Sequence, residues 1–172
     1  MKDLLTLAKE RYSVRDFQQR QLAEEDLQYI LEAGQAAPTA VNYQPQRIYV
    51  VQSQEGLEKL RKLTPCTWNA PTVLLVCADV EHCFHSKFAP GYNSAEMDAS
   101  IVGTHMMLAA ADRGIGSTWV LWFTPEEIQE AFALPENVKI MFLMPLGYPG
   151  DKAAPGEMHA STKPLEEMVT RI

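Results

Sequence analysis

The chain is poor in the features that mark secreted, membrane-spanning or polyanion-binding proteins. Its three cysteines, Cys66, Cys77 and Cys83, are odd in number and form no C-x-x-C pair, which argues against a disulfide framework and fits reduced thiols. No apolar run approaches the roughly 20 residues a membrane helix needs. The amino-terminal Met-Lys-Asp-Leu-Leu-Thr-Leu passes straight to charged residues, with no apolar segment of a leader. A cytoplasmic protein without membrane contact is therefore expected. Basic residues are also scarce: 15 Lys and Arg face 22 Asp and Glu, a net charge of −7, which argues against nucleic acid as the main partner. Internal repeats and low-complexity segments are absent. The chain does have 172 residues, 47% of them hydrophobic. That suffices for one well-buried core and is too short to favour two, so a single domain over residues 1–172 is expected.

Against this acidic background one short stretch is locally cationic. In Arg11-Tyr12-Ser13-Val14-Arg15-Asp16-Phe17 two arginines flank a serine, and in an extended chain Arg11, Ser13 and Arg15 project from the same side. A planar guanidinium binds phosphate bidentately, and the seryl hydroxyl and nearby amides supply further donors. The pattern reads as a clamp for one small anion. The alternative is a pair of solvated arginines at a helix end.

The remaining elements follow from periodicity and punctuation. Leu4, Leu7 and Ala8 give a short amphipathic helix before the clamp. Glu24, Glu25 and Asp26 open a second helix whose buried stripe is Leu27, Ile30, Leu31 and Gly34, closed before Pro38. A loop over 38–46 carries the amides Asn42 and Gln44. Strands are expected at Ile48–Val51, at Thr72–Ala78 with its unbroken apolar core, at Ser117–Trp122 and at Lys139–Pro145. Ser53 caps a helix through Leu63, with Leu57, Leu60 and Leu63 turned inward. Glu96–Arg113 is the longest helix, with Ile101, His105, Leu108 and Asp112 on one face. Thr124-Pro125-Glu126-Glu127 reads as a capping box opening a helix through Phe132, and a short helix follows Pro164. Helices and strands are interspersed without strict alternation, which makes the fold class α+β.

Several local patterns compete for a functional role. His82-Cys83-x-His85 lacks a second ligand pair, so no metal site is expected. Cys83 with His85 lacks the third group that orients a nucleophile pair. Gly114-x-Gly116 lacks the third glycine and follows a helix rather than a strand, unlike a dinucleotide fingerprint. His105 reads as a core or interface histidine. Tyr43, Trp68, Phe84 and Tyr92 either line a substrate pocket or belong to the core, and the aromatic-rich stretch 80–95 is a lid or a cover for the core.

Taken together, four stretches resemble, in order and spacing, the short members of the FMN-dependent nitroreductase family. Arg11–Phe17 is similar to the family's R-x-S-x-R/K-x-F/Y opening, and Ala37-Pro-Thr-Ala-Val-Asn-Tyr-Gln-Pro45 to its A-P-S-x-x-N-x-Q-P loop. Asp98–Trp119 is similar to its central helix and following strand, and Leu146-Gly-Tyr-Pro with Lys163-Pro-Leu-Glu-Glu to its carboxyl-terminal end. The resemblance implies a central, mostly antiparallel sheet flanked by helices, in an intertwined homodimer with an FMN in each of two interface pockets. It implies NAD(P)H as reductant and ping-pong hydride transfer to a nitroaromatic, quinone or similar small electrophile, with the flavin rather than a catalytic side chain carrying the chemistry. By position, Arg11, Tyr12, Ser13 and Arg15 would hold the cofactor. Pro38, Thr39, Ala40 and Asn42 would reach the flavin of the other subunit. Backbone groups of Trp119, Val120, Leu121 and Trp122 would face its N5 side, and Lys163 would return to the phosphate. Three positions depart from the pattern: Ala40 and Thr162 stand where serine and arginine are common, and Trp122 stands where larger members carry glycine. These departures leave open a flavin-binding storage or sensing protein without turnover.

Overall fold

The structure, a computed structural model, describes residues 3–172. Its organising element is the strand β2 (Thr72–Asp79), every residue of which is buried. A run such as Val-Leu-Leu-Val-Cys has no polar side, so it is stable only where both faces of a sheet are covered. Around it stand β1 (Gln46–Val51), β3 (Gly116–Ser117) and β4 (Val138–Gly147), in the order β1-β2-β4-β3 with every pair antiparallel. The helices are α1 (Leu4–Glu10), α2 (Glu24–Gln35), α3 (Gln54–Leu63), α4 (Ala95–Asp112), α5 (Pro125–Ala131) and α6 (Leu165–Met168).

Alternation along β2 divides the core. Val73, Leu75 and Cys77 face α3 and α5 through Leu57, Leu60 and Ile128. Leu74 and Val76 face α2 and α4 through Leu27, Ile30, Val102 and Met106. A bulge where Val76 and Cys77 pass Phe142 and Ile140 puts Met141 out of register. Ile140 and Leu143 consequently share one face despite their odd spacing. Deep burial pushes the Cys77 thiol up to about 12, so it stays protonated and inert. All three cysteines are free.

Helix termini follow the sequence closely. The Ser53 hydroxyl accepts the Gly56 amide at 3.2 Å, and three acidic residues open α2 against its dipole. Thr124 makes no side-chain cap bond, and α5 starts instead on Pro125 with Glu126 and Glu127 in its first turn. The expected strand over Ser117–Trp122 is a correction: regular pairing stops after Ser117 and returns only as a bridge between Val120 and Leu143. The cause lies in the partner strand. The Thr118 amide donates to the Pro145 carbonyl at 3.2 Å, but proline has no N–H with which to return the bond. Among the described residues no helix is long and apolar enough to cross a membrane.

Several apolar surfaces remain uncovered by this chain. On α4 the inner face (Val102, Met106, Ala110) is buried, while Met97 and Ile101 on the outer face are exposed. Leu4 and Leu5 on α1 are exposed, as are Leu165, Met168, Val169 and Ile172 in the tail.

Candidate functional site

The clamp strand is fixed by its middle residue. Val14 is 2% exposed, its amide donates to the Ser117 carbonyl at 3.0 Å, and the Thr118 hydroxyl donates to its carbonyl. A Cβ on Gly116 would lie 2.6 Å from a Val14 methyl, so glycine there is what lets the strand lie against β3, in a parallel bridge between Ser13 and Ser117. With Val14 inward, alternation sends Ser13 and Arg15 outward. Arg11 and Ser13 are half-buried and Arg15 is exposed. Arg15 lies 5.6 Å from the centre of the Trp68 ring, and Arg11 lines a cavity of about 170 Å³ with Leu7, Tyr12, Gly116 and Ser117. Neither arginine forms an ion pair with a carboxylate among the described residues, although Glu10 lines the same cavity as Arg11 and Arg15 Nη1 donates to the Ser13 carbonyl at 3.4 Å.

The second expected segment, 38–44, is a strained turn rather than an open loop. Val41, Asn42 and Gln44 have φ of 55°, 56° and 51°, a left-handed conformation that is costly for a β-branched residue such as valine. The turn holds because the Thr39 hydroxyl accepts the Gln44 amide at 3.0 Å and the Asp98 carboxylate accepts the Ala40 amide at 2.8 Å. Pro38 precedes it, and Val41 and Asn42 point to solvent. Strain of this kind is characteristic of ligand-contacting backbone.

In the third segment the side chains separate. Trp119 stacks on Phe142 with centroids 3.5 Å apart, and Val120 is buried with both backbone groups committed to Leu143 at 3.0 Å. The Trp122 carbonyl accepts the Thr64 hydroxyl at 2.6 Å, while the Leu121 and Trp122 side chains are 69% and 76% exposed. Lys163 is exposed, within a tail that is exposed from Ser161 onward.

The four pocket candidates do not gather in one place in this chain. Tyr43 and Phe84 share a cavity of about 360 Å³ with Cys83, His85, Lys87 and Phe88. Tyr92 lines a different cavity with Met97 and Met141, and Trp68 stands beside Arg15. Trp68 and its neighbour Asn69 both have left-handed backbone, φ 45° and 55°. Sequence reasoning passed over Asn69, and its only signal is asparagine's tolerance of that conformation. Asp98 and Ser94, which anchor the 38–44 turn, were also missed.

The competing motifs resolve on geometry. Cys83 Sγ is 3.6 Å from His85 Nε2, but that nitrogen lies 2.9 Å from the Val80 carbonyl. An imidazole nitrogen facing a carbonyl carries the proton, so it is no base for the thiol. His105 is exposed on the outer face of α4, its Nδ1 2.9 Å from the Ile101 carbonyl. No group of three or more metal-ligating side chains occurs among the described residues. At the foot of the 80–95 stretch, burial pushes the Asp79 carboxyl up, but hydrogen bonds from His82, Asn137 and the amides of Glu81 and His82 outweigh it and hold the group below the ordinary carboxylate range. The stabilisation from Asp79 is thus present above the ordinary carboxylate pKa and is lost as pH falls through the lowered folded value.

An antiparallel sheet with an extended, arginine-bearing segment pinned along its β3 edge and a strained turn fastened to the start of α4 defines an α+β protein. The chain belongs to the nitroreductase family, whose sequence profile matches residues 8–68 and 62–148. It is 33% identical over 162 residues to an Archaeoglobus fulgidus protein provisionally assigned as an NADH dehydrogenase/NAD(P)H nitroreductase, a match covering 88% of each chain. Among solved structures it superposes on a nitroreductase family protein from Clostridium difficile with a TM-score of 0.91 at 38% identity, covering 98% of both chains. It also superposes on an FMN-bound nitroreductase from Bacteroides fragilis with a TM-score of 0.76 at 26% identity, covering 100% of both. The α+β class and the antiparallel sheet flanked by helices, expected from the sequence, are the ones present.

Proposed function

We propose that the protein is an FMN-dependent NAD(P)H oxidoreductase that works as a homodimer and reduces a nitroaromatic, quinone or similar small electrophile. The observation that carries this reading is the extended segment Arg11–Arg15, fixed in place by Val14, in which neither arginine is ion-paired with a carboxylate among the described residues. The donor set fits FMN. At about 3.3 Å per residue, Arg11 and Arg15 stand roughly 13 Å apart along the strand, a span suited to a ligand with an anion at one end and a hydrogen-bonding ring at the other. Arg11 holds the phosphate, with Lys163 as a second cation, Ser13 bonds the ribityl chain, and Arg15 faces the pyrimidine edge. Tyr12 flanks the phosphate end and meets His159 edge to face at 6.2 Å, which ties the tail to the clamp strand. When bound, the flavin supplies hydride acceptance and donation. Arg15 favours negative charge at the pyrimidine edge, and the backbone of Trp119–Trp122 lies along the other edge of the ring.

A second copy completes the site by bringing its Pro38, Thr39, Ala40 and Asn42 over the ring, with Tyr43 and Phe84 facing the acceptor and Trp68 and Tyr92 at the margins. The outer face of α4, α1 and the tail support this assembly. Helix α6 has four residues, none of them buried, and so short a helix gains its stability from a packed partner. The free thiols support a cytoplasmic location. The two core clusters sharing β2 and β4 support one domain over residues 1–172.

Anaerobic mixing of the FMN-loaded protein with NADH and with NADPH tests the activity. The expected result is loss of the flavin's visible band with at least one nicotinamide, and its return when a nitroaromatic or quinone is added. The exposed Trp122 indole, beside the expected ring position, favours a second reading, storage or sensing of FMN. A flavin that stays bound and oxidised with both nicotinamides supports that reading. A protein that takes up no FMN removes both.

A further inference from the structure

Two segments that the proposed function uses separately meet at one buried carboxylate. Asp98, in the first turn of α4, is 1% exposed and Ser94, just before that helix, is 2% exposed. Asp98 Oδ1 accepts the Ala40 amide at 2.8 Å, and Asp98 Oδ2 accepts the Ser94 hydroxyl at 2.6 Å. The Ser94 oxygen in turn accepts the Phe84 amide at 3.1 Å, and the Ser94 amide donates to the Phe84 carbonyl at 3.0 Å. An unbroken chain of hydrogen bonds therefore runs from the 38–44 turn, through Asp98 and Ser94, to the aromatic segment carrying Phe84. No cation pairs with Asp98 among the described residues. Its charge is balanced by the two donors and by the amino-terminal end of the α4 dipole. A helix start requires no such arrangement, because a capping oxygen bonds the amides of its own first turn, whereas this carboxylate reaches across to Ala40.

We propose that Asp98 is a positioning residue which, through Ser94, couples the placement of the strained Thr39–Asn42 turn to that of Phe84, so that one group sets both a cofactor contact and a wall of the acceptor cavity. The roles of the two segments rest on the FMN reading above, while the coupling itself is a property of the fold. Ala40 lies 58 residues from Asp98 in the sequence, so the link from the 38–44 turn to the start of α4 is carried by these bonds rather than by sequence adjacency. Removing Asp98 leaves the Ala40 amide and the Ser94 hydroxyl without partners in a buried place. Removing the Ser94 hydroxyl frees the Phe84 amide and takes the donor from Asp98 Oδ2, but leaves the bond between Asp98 Oδ1 and the Ala40 amide in place.

Hydrogen exchange on the dimeric protein, followed by flavin titration and acceptor kinetics, tests this with Ser94→Ala, Asp98→Asn and Asp98→Ala. Asp98→Ala is expected to speed exchange in both 39–44 and 82–86, to weaken FMN binding about tenfold, and to raise the acceptor KM. Ser94→Ala is expected to speed exchange only in 82–86 and to raise KM about fivefold, with FMN affinity changed less than about twofold. Asp98→Asn keeps an oxygen for Ala40 and restores FMN binding to within about threefold of the parent. If Asp98→Ala does not fold, the contrast between Ser94→Ala and Asp98→Asn carries the same test. The proposal is overturned if Asp98→Ala leaves exchange in 39–44 unchanged, or if all variants lose protection across the whole chain in proportion to their loss of Tm. A parent protein that binds no FMN overturns the functional reading instead, and the exchange pattern still decides the coupling.

Discussion

Arg11→Ala lowers affinity for FMN by about 10- to 100-fold and leaves affinity for riboflavin, which lacks the phosphate, within about twofold. A hydrogen bond to a charged group contributes about 1.5–3 kcal/mol net. The upper part of that range applies where the guanidinium is partly withdrawn from water, as Arg11 is. Because Arg11 has no ion-pair partner among the described residues, its removal orphans no carboxylate. The fold is held at this point by Val14, so Tm changes little. Arg11→Lys keeps the charge but loses the planar fork, and it falls between the parent and Arg11→Ala. Fluorescence titration with both flavins reads the result, and equal losses for FMN and riboflavin would contradict the assignment of Arg11 to the phosphate.

Gly103→Ala lowers Tm by roughly 4–8 °C, from a net loss of about 2 kcal/mol. An alanine inside a helix normally gains up to about 1 kcal/mol over glycine, so the sign depends on the space available. Here the added Cβ would lie 2.8 Å from Trp119 Cζ3 and closer still to Phe142 Cζ. Neither ring can yield. They stack on each other with planes 16° apart, and Phe142 is 1% exposed between α4 and the sheet. Overpacking therefore outweighs the helix gain. Since Trp119 opens the segment proposed to lie along the flavin edge, the same substitution is expected to weaken FMN binding as well. A variant as stable as the parent, by thermal unfolding, would show that α4 and β4 pack less tightly than this.

The parts of the fold legible in the sequence were those whose cause is local. The apolar run 73–77 could only be a strand covered on both faces, Ser53 sits one position ahead of a periodic helix, and Val14 between two outward arginines shows its alternation in the letters. Features that depend on a distant partner were hidden. The strand after Gly116 breaks because Pro145 lies opposite Thr118, which requires knowing that β4 is the neighbour. Trp119 turns inward because Gly103 leaves room for it. The capping box at Thr124 has the right residues without the side-chain bond, since proline alone sets the first turn. Asp98 reads as an ordinary acid in the first turn of a helix until its contact with Ala40, 58 residues away in sequence, is seen. The pocket aromatics lie in separate places of this chain, Tyr43 and Phe84 in one cavity, Tyr92 in another and Trp68 beside Arg15, a separation that no local pattern in the sequence reveals.

The central claim is that each FMN is gripped by the Arg11–Arg15 strand of one subunit and covered by the 38–44 turn of another. Native mass spectrometry of the FMN-loaded protein tests it most directly. The predicted species contains two chains of 19.3 kDa and two FMN, and its dissociation into single chains releases the flavin. A single chain that retains a full equivalent of FMN would contradict the account.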